Sequence, residues 1–163
     1  MAWEFDFKNK TAIVTGAASG MGLLFSQNFT SLNGNVVMVD VNEQVLNEKV
    51  SEINAKGNGK AIGVICDVRD YKQVVAVKEK AAEVFGTIDA MANFAGGTAR
   101  RVLKHGWDDE FPDVPIEVFD WGLDVNLKGP FYFAHAALSQ MRKQFSGLII
   151  NIGSITGAEG DGV

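Results

Sequence analysis

Short runs that are apolar at nearly every position alternate along this chain with stretches whose apolar residues recur at helical spacing. The runs are Thr11-Ala12-Ile13-Val14-Thr15, Asn35 to Asp40, Lys60 to Cys66, Ile88 to Phe94 and Gly147 to Ile152. A strand without a polar face has no side to show to water, so it belongs in a parallel sheet covered on both faces. The segments between are predicted helices. The first places Met21, Leu24, Phe25, Phe29 and Leu32 on one face and ends at Asn33-Gly34. The second starts at Asn42 as N-cap and points Leu46, Val50 and Ile53 inward. Asp70, with Gln73 three residues on, opens a third helix lined by Val74, Val77, Ala81 and Val84. A long helix from Pro130 to Phe145 carries Ala134, Leu138, Met141 and Phe145. Strict β-α alternation with right-handed crossovers predicts an α/β doubly wound parallel sheet as one domain over 1–163. In such a sheet, ligands bind at the strand carboxyl ends.

Composition narrows the partners. A net charge of −5 argues against a nucleic-acid backbone or an anionic membrane surface as partner. The single cysteine, Cys66, cannot close an intrachain disulfide, and no Cys/His cluster suggests a metal. No run is long and apolar enough to span a bilayer, and residues 1–6 lack the basic-then-apolar pattern of a signal peptide. A cytoplasmic location is expected. The irregular stretch Gly97 to Pro115 is long for a connection. Its basic cluster Arg100, Arg101, Lys104 and His105 reads as a solvated loop, and Asp108, Asp109 and Glu110 lack calcium-ligand spacing. Trp107 and Phe111 could wall a pocket or pack the loop down, and His135 reads as an ordinary helix residue.

Between the first strand and first helix lies Thr15-Gly16-Ala17-Ala18-Ser19-Gly20-Met21-Gly22. A diphosphate needs backbone N–H groups at a helix N-terminus with no side chain in the way. A glycine turn can be only a tight connection, but the strand-turn-helix setting is the one that diphosphate binding requires. Asp40 ends the second strand, 18 residues after Gly22. A carboxylate there can accept both adenosine ribose hydroxyls and repel a 2′-phosphate. Neither Ser19 nor Val41, flanking that pocket, is basic, which favours NAD over NADP. Asp40 could otherwise serve only the start of the next helix.

These residues resemble the short-chain dehydrogenase/reductase family, whose nucleotide loop reads Thr-Gly-x-x-x-Gly-x-Gly, as Thr15 to Gly22 does. Four further segments resemble its signatures in order: Asp67-Val68, Asn93-Phe94-Ala95-Gly96, Asn126-Leu127-Lys128-Gly129 and Asn151-Ile152-Gly153-Ser154. Phe94 departs from the family's second asparagine. The resemblance implies an NAD(P)-binding Rossmann domain. It places Gly16, Ser19, Gly20, Met21 and Gly22 at the diphosphate, and Asp40, Val41, Asp67 and Val68 at the adenosine. Asn93, Ala95 and Gly96 would then lie along the cofactor. It further implies catalytic roles for Ser154, which would orient a carbonyl, and for Asn126, whose main chain would hold a relay water. Pro130 agrees with the latter: lacking an N–H, it cannot serve the Asn126 carbonyl, which favours a kink or a break there.

The family's tyrosine, followed four residues later by lysine, has no counterpart. Nine residues follow Ser154, and the only tyrosines, Tyr71 and Tyr132, are followed at that spacing by Val75 and Ala136. The resemblance therefore implies the amino-terminal portion of an oxidoreductase, incomplete at its C-terminus. The chain alone is expected to be inactive. Its exposed fifth strand and the Leu138, Met141 and Phe145 face would need cover, with a homo-oligomer through the 130–145 helix expected. The implied reaction is hydride transfer between NAD and a small-molecule alcohol or ketone. Two rivals stand beside it: a catalytically silent nucleotide-binding module, and a methyltransferase with a glycine loop, which leaves Asn93 to Gly96 and Asn126 unexplained.

Overall fold

A computed structural model describes residues 5–56, 58–98 and 110–154. Five strands, β1 (Thr11–Thr15), β2 (Asn35–Asp40), β3 (Ala61–Ile65), β4 (Ala90–Asn93) and β5 (Leu148–Asn151), form one sheet in the order β3-β2-β1-β4-β5. Every pairing is parallel. The chain lays strands to one side of β1, then crosses back to lay β4 and β5 on the other. That reversal opens a crevice between β1 and β4 at their carboxyl ends. The predicted doubly wound sheet is thus observed, with the last three strands a residue or two shorter at each end than the apolar runs.

Alternate residues of each strand face opposite layers. Ala12, Val14, Val36, Met38 and Ala92 pack toward α1 (Gly20–Ser31) and α2 (Glu43–Asn54). Ile13, Val37, Val39 and Met91 pack toward α3 (Tyr71–Phe85) and α5 (Gly129–Gln144). A shorter helix, α4 (Ile116–Leu123), precedes α5 and was not assigned from sequence periodicity. Asn42 caps α2 through Val45 N–H, and Asp70 caps α3 through the N–H groups of Lys72 and Gln73, as predicted. Gln73 reaches back as well, although its amide oxygen accepts from Asp67 N–H at 2.9 Å rather than from the cap residue.

The inward face of α1 differs from expectation, as does one residue of α5. In α1 the buried residues are Gly22, Ser26, Phe29 and Thr30, while Met21 and Leu24 are exposed. The hydroxyls of Ser26 and Thr30 donate to the Gly22 and Ser26 carbonyls, each at 2.8 Å, so they enter the core already satisfied. Small buried residues let α1 lie close to the sheet; the larger apolar letters misled the periodicity. In α5 the inward face is Phe133, Ala136, Ala137 and Met141. Leu138 is 46% exposed and Phe145, left-handed at the helix end, 97% exposed. Of the face expected to need cover, Met141 is already covered by this chain.

Asp89 anchors the amino ends of the central strands. One carboxylate oxygen pairs with Lys10 Nζ at 2.9 Å, and the other accepts from Thr11 N–H and the Thr87 hydroxyl. Burial alone would raise its carboxyl, but the hydrogen bonds from Lys10, Thr11 and Thr87 outweigh it and hold the group below the usual carboxylate range. A lowered folded-state value means stabilisation present above the ordinary carboxylate pKa and lost as acid reaches the lower folded one. Asp89→Ala is expected to cost roughly 1–3 kcal/mol at neutral pH. Thermal melts followed by circular dichroism should show that deficit shrinking as pH falls below about 4.

Candidate functional site

A cleft of ≈ 490 Å³ lies over the carboxyl ends of β1, β2 and β4, a volume ordinary for a cofactor or ligand pocket. The glycine loop forms its floor. Gly16 adopts φ +64°, and a Cβ there would sit 3.0 Å from the Ala95 backbone. A Cβ on Gly22 would strike the Gly16 carbonyl. These two glycines therefore let α1, its preceding turn and the end of β4 touch backbone to backbone. Gly20 has nothing within 4 Å of its Cβ position, so the cleft stands open above it.

The loop is held from β2. Ala17 N–H donates to the Val39 carbonyl at 3.1 Å, and Ala18 N–H donates to Asp40 Oδ2 at 3.1 Å. Asp40 Oδ1 accepts from Asn42 N–H at 3.0 Å, so the carboxylate steadies both the loop and the approach to α2. The helices after β2 and β3 have side-chain caps, whereas the N-terminus of α1 at Ser19 has none. It is the one of the three that opens into the cleft, with the positive end of its dipole and its first-turn N–H groups.

Val41, Cys66, Asp67, Val68 and Arg69 continue the wall beyond Asp40, facing Trp121 of α4 and Val125. Arg69 grips Asp67 in a fork, Nε at 2.9 and 3.0 Å from the two carboxylate oxygens and Nη2 at 2.6 Å from Oδ2. These bonds hold the Asp67 carboxyl below its usual range, against the upward push of partial burial. Burial, with the charges of Asp67 and Asp70, pushes the Cys66 thiol up to about 12, so it is no nucleophile at neutral pH.

At the β4 end, the Thr15 hydroxyl accepts from Phe94 N–H at 3.1 Å and Ala95 N–H at 3.0 Å. This latch fixes the wall formed by Phe94, Ala95 and Gly96. Asn126 clamps the next residue from both sides: Gly97 N–H donates to its Oδ1 at 2.9 Å, and its Nδ2 donates to Gly97 O at 3.0 Å. Asn126 sits in a π-helical turn, Asp124–Lys128, where Gly129 N–H donates to the Asp124 carbonyl. The wider turn lies just before Pro130, and the chain runs on from it into α5 without a break. Asn93 is buried, and its Nδ2 donates to Asn151 Oδ1 at 2.8 Å, while its own Oδ1 has no partner among the described residues.

Of the residues singled out from sequence, Gly16, Ser19, Gly20, Met21, Gly22, Asp40, Val41, Asp67, Val68, Ala95 and Gly96 all line this cleft. Asn93 lies behind it between β4 and β5, Asn126 braces its edge through Gly97, and Ser154 is exposed just past β5. The structure does not bring those three into the cleft lining. Sequence reasoning missed Thr15 as a latch, Arg69, Trp121 and Val125. Arg69 was detectable as a cation two residues past a strand-end acid; the aromatic wall needed the α4 crossing. The segment with Arg100, Arg101, Lys104, His105, Trp107, Asp108 and Asp109 lies outside the described residues, as does everything after Ser154. Phe111 begins a 3-10 turn, Phe111–Asp113, and its ring lies 5.2 Å from that of Phe119. No helix among the described residues is long and apolar enough to cross a membrane.

A parallel sheet with an open, glycine-floored helix end at its switch point defines the dinucleotide-binding class of α/β folds. The short chain dehydrogenase family model matches residues 10–162, and the chain belongs to that family. An uncharacterized oxidoreductase of Staphylococcus saprophyticus is 33% identical over 94% of this chain and 62% of its own length. Glucose 1-dehydrogenase 2 of Bacillus subtilis is 32% identical over 92% of this chain and 56% of its own. The crystal structure of an NAD+-bound xylitol dehydrogenase superposes with a TM-score of 0.85 at 28% identity, covering 95% of this chain and 56% of that one. The chain thus spans a little over half the length of these relatives.

Thr15→Val keeps the shape but removes the acceptor for two backbone N–H groups. It is expected to destabilise the fold by roughly 2 kcal/mol or more. Denaturant unfolding measures the loss, and hydrogen exchange should localise it to Phe94 and Ala95.

Proposed function

We propose that this chain is the nucleotide-holding part of an NAD-dependent oxidoreductase that moves a hydride between nicotinamide and a secondary alcohol or the matching ketone. The observation that carries it is the uncapped N-terminus of α1, floored by the glycine loop and facing the same cleft as Asp40. The diphosphate would rest on the first-turn N–H groups of α1 at Gly20, Met21 and Gly22, with Ser19 at their edge. Asp40 would accept the adenosine ribose hydroxyls through lone pairs left by Ala18 and Asn42. Val41, Val68 and Asp67 would bound the adenine, and Ala95 and Gly96 the nicotinamide half, with Asn93 tying their strand to β5. NAD supplies a two-electron acceptor at its nicotinamide ring.

Ser154, at the carboxyl end of the sheet, is assigned to the substrate: its hydroxyl would donate to the oxygen that gains negative charge during carbonyl reduction. Asn126 is assigned to the relay through its π-turn backbone, while its side chain holds the Gly97 end of the wall. Association of two copies through the 130–145 helix is supported by its exposed Phe131 and Leu138, continued by Leu127 in the preceding turn. A cytoplasmic location accords with a lone buried cysteine.

NAD is preferred over NADP on the charge of Asp40, which a 2′-phosphate would have to approach. NADH should bind at least about tenfold more tightly than NADPH, a difference of about 1.4 kcal/mol, in a fluorescence titration. Asp40→Asn, which still offers an acceptor to Ala18 N–H, should narrow that gap. Equal or reversed preference in the unsubstituted protein would contradict the assignment. Binding of NADH without turnover of any secondary alcohol by the natural full-length product would favour a silent nucleotide-binding module.

A further inference from the structure

We propose that Arg69 is the positioning residue of the adenine end of the cleft, fixing the Asp67 carboxylate in the orientation that accepts an exocyclic amine. The inference rests on the dinucleotide reading above and deepens it. Arg69 follows Asp67 by two residues and lines the same cleft. Its backbone N–H also donates to Asp67 Oδ1 at 2.9 Å, so main chain and guanidinium act on one carboxylate together. The other ion pairs among the described residues are made by lysines, several of them between neighbours along one helix. Among the described residues only Arg69 forms a planar two-pronged pair, and a fork sets the plane of its partner where an ammonium only attracts it.

The orientation has a chemical purpose. An exocyclic amine is a donor and needs an acceptor; an ionised carboxylate only accepts, whereas a protonated one presents its own O–H. Partial burial works against ionisation, and Arg69 is the cation that offsets it. Asp124 lies near Arg69 from the π turn, and Cys66 beside Asp67 stays un-ionised. Gln73 completes the fixture by accepting from Asp67 N–H. The Asp67 side chain is 30% exposed and lines the cleft, so the pairing leaves it open to a ligand there.

The test compares ADP-ribose binding by calorimetry in the intact protein, R69Q and R69K across pH 4 to 8, with nicotinamide mononucleotide as a probe lacking adenine. R69Q should weaken ADP-ribose binding by about tenfold at pH 7, the scale of one charge-assisted hydrogen bond. It should leave nicotinamide mononucleotide binding unchanged. Because Arg69 holds the Asp67 carboxyl low, affinity in R69Q should begin to fall at a higher pH than in the unsubstituted protein. Protonation of adenine itself is common to both and cancels in the ratio. R69K should restore the pH profile through its charge but not the full affinity, lacking the fork. Equal ADP-ribose affinities and superimposable pH profiles would overturn the role of Arg69 while leaving the dinucleotide reading intact. Loss of binding for both probes would mark a merely structural residue and overturn it too. Failure of the unsubstituted protein to bind ADP-ribose would instead sink the dinucleotide reading and this inference with it.

Discussion

The approach of Gly22 to the Gly16 carbonyl is the contact on which the rest of the molecule depends. A helix can bring its unsatisfied N–H groups to the end of a strand only where no side chain keeps the two backbones apart. A Cβ on Gly22 would strike the preceding turn, and one on Gly16 would press on Ala95 at the end of β4. With both absent, α1, the glycine loop and β4 close into one rigid corner. Ser26 and Thr30 extend the same logic along α1, burying small groups whose hydroxyls are satisfied within the helix. The result is a helix start held at the switch point of the sheet, with its dipole directed into open space.

Around that corner, polar side chains act as fasteners on backbone. Thr15 takes two N–H groups from the β4 end, Asp40 takes one from the loop and one from the approach to α2, and Asn126 takes both sides of Gly97. Each uses a short side chain with few rotamers, so little conformational freedom is lost in fixing the wall. The π turn at Asp124–Lys128 belongs to the same pattern. The turn widens by one residue just before Pro130, and from within it Asn126 reaches across to Gly97. A cleft built this way is preorganised, and preorganisation is what lets a charged ligand bind without first ordering the loop.

Much of this was readable in the letters, and the parts that were not share a cause. Strand runs, the caps at Asn42 and Asp70, and the loop from Thr15 to Gly22 are local signals, carried by residues adjacent in sequence. The inward face of α1 was misread because Ser26 and Thr30 look like surface residues until their intrahelical bonds are seen. Leu138 and Phe145 are exposed, as a face in need of cover should be, but Met141 was grouped with them because a helical stripe does not say which flank meets the sheet; it joins Phe133, Ala136 and Ala137 there. Arg69 and Trp121 escaped notice because they reach the cleft from elements about fifty residues apart, a juxtaposition that topology alone creates. Ser154 was found by position at a strand end, and the structure places it past β5 rather than in the cleft lining.

Family membership and a shared fold with an NAD+-bound dehydrogenase agree with the proposal that the α1 end would hold a diphosphate. The most direct measurement is a backbone amide titration by NMR with ADP, which carries the diphosphate and adenosine without the nicotinamide. Saturable shifts centred on the amides of Gly20, Met21 and Gly22, with smaller ones at Asp40 and Asp67, are the result this account predicts. Shifts confined to another surface, with the loop amides unmoved at saturation, would contradict it.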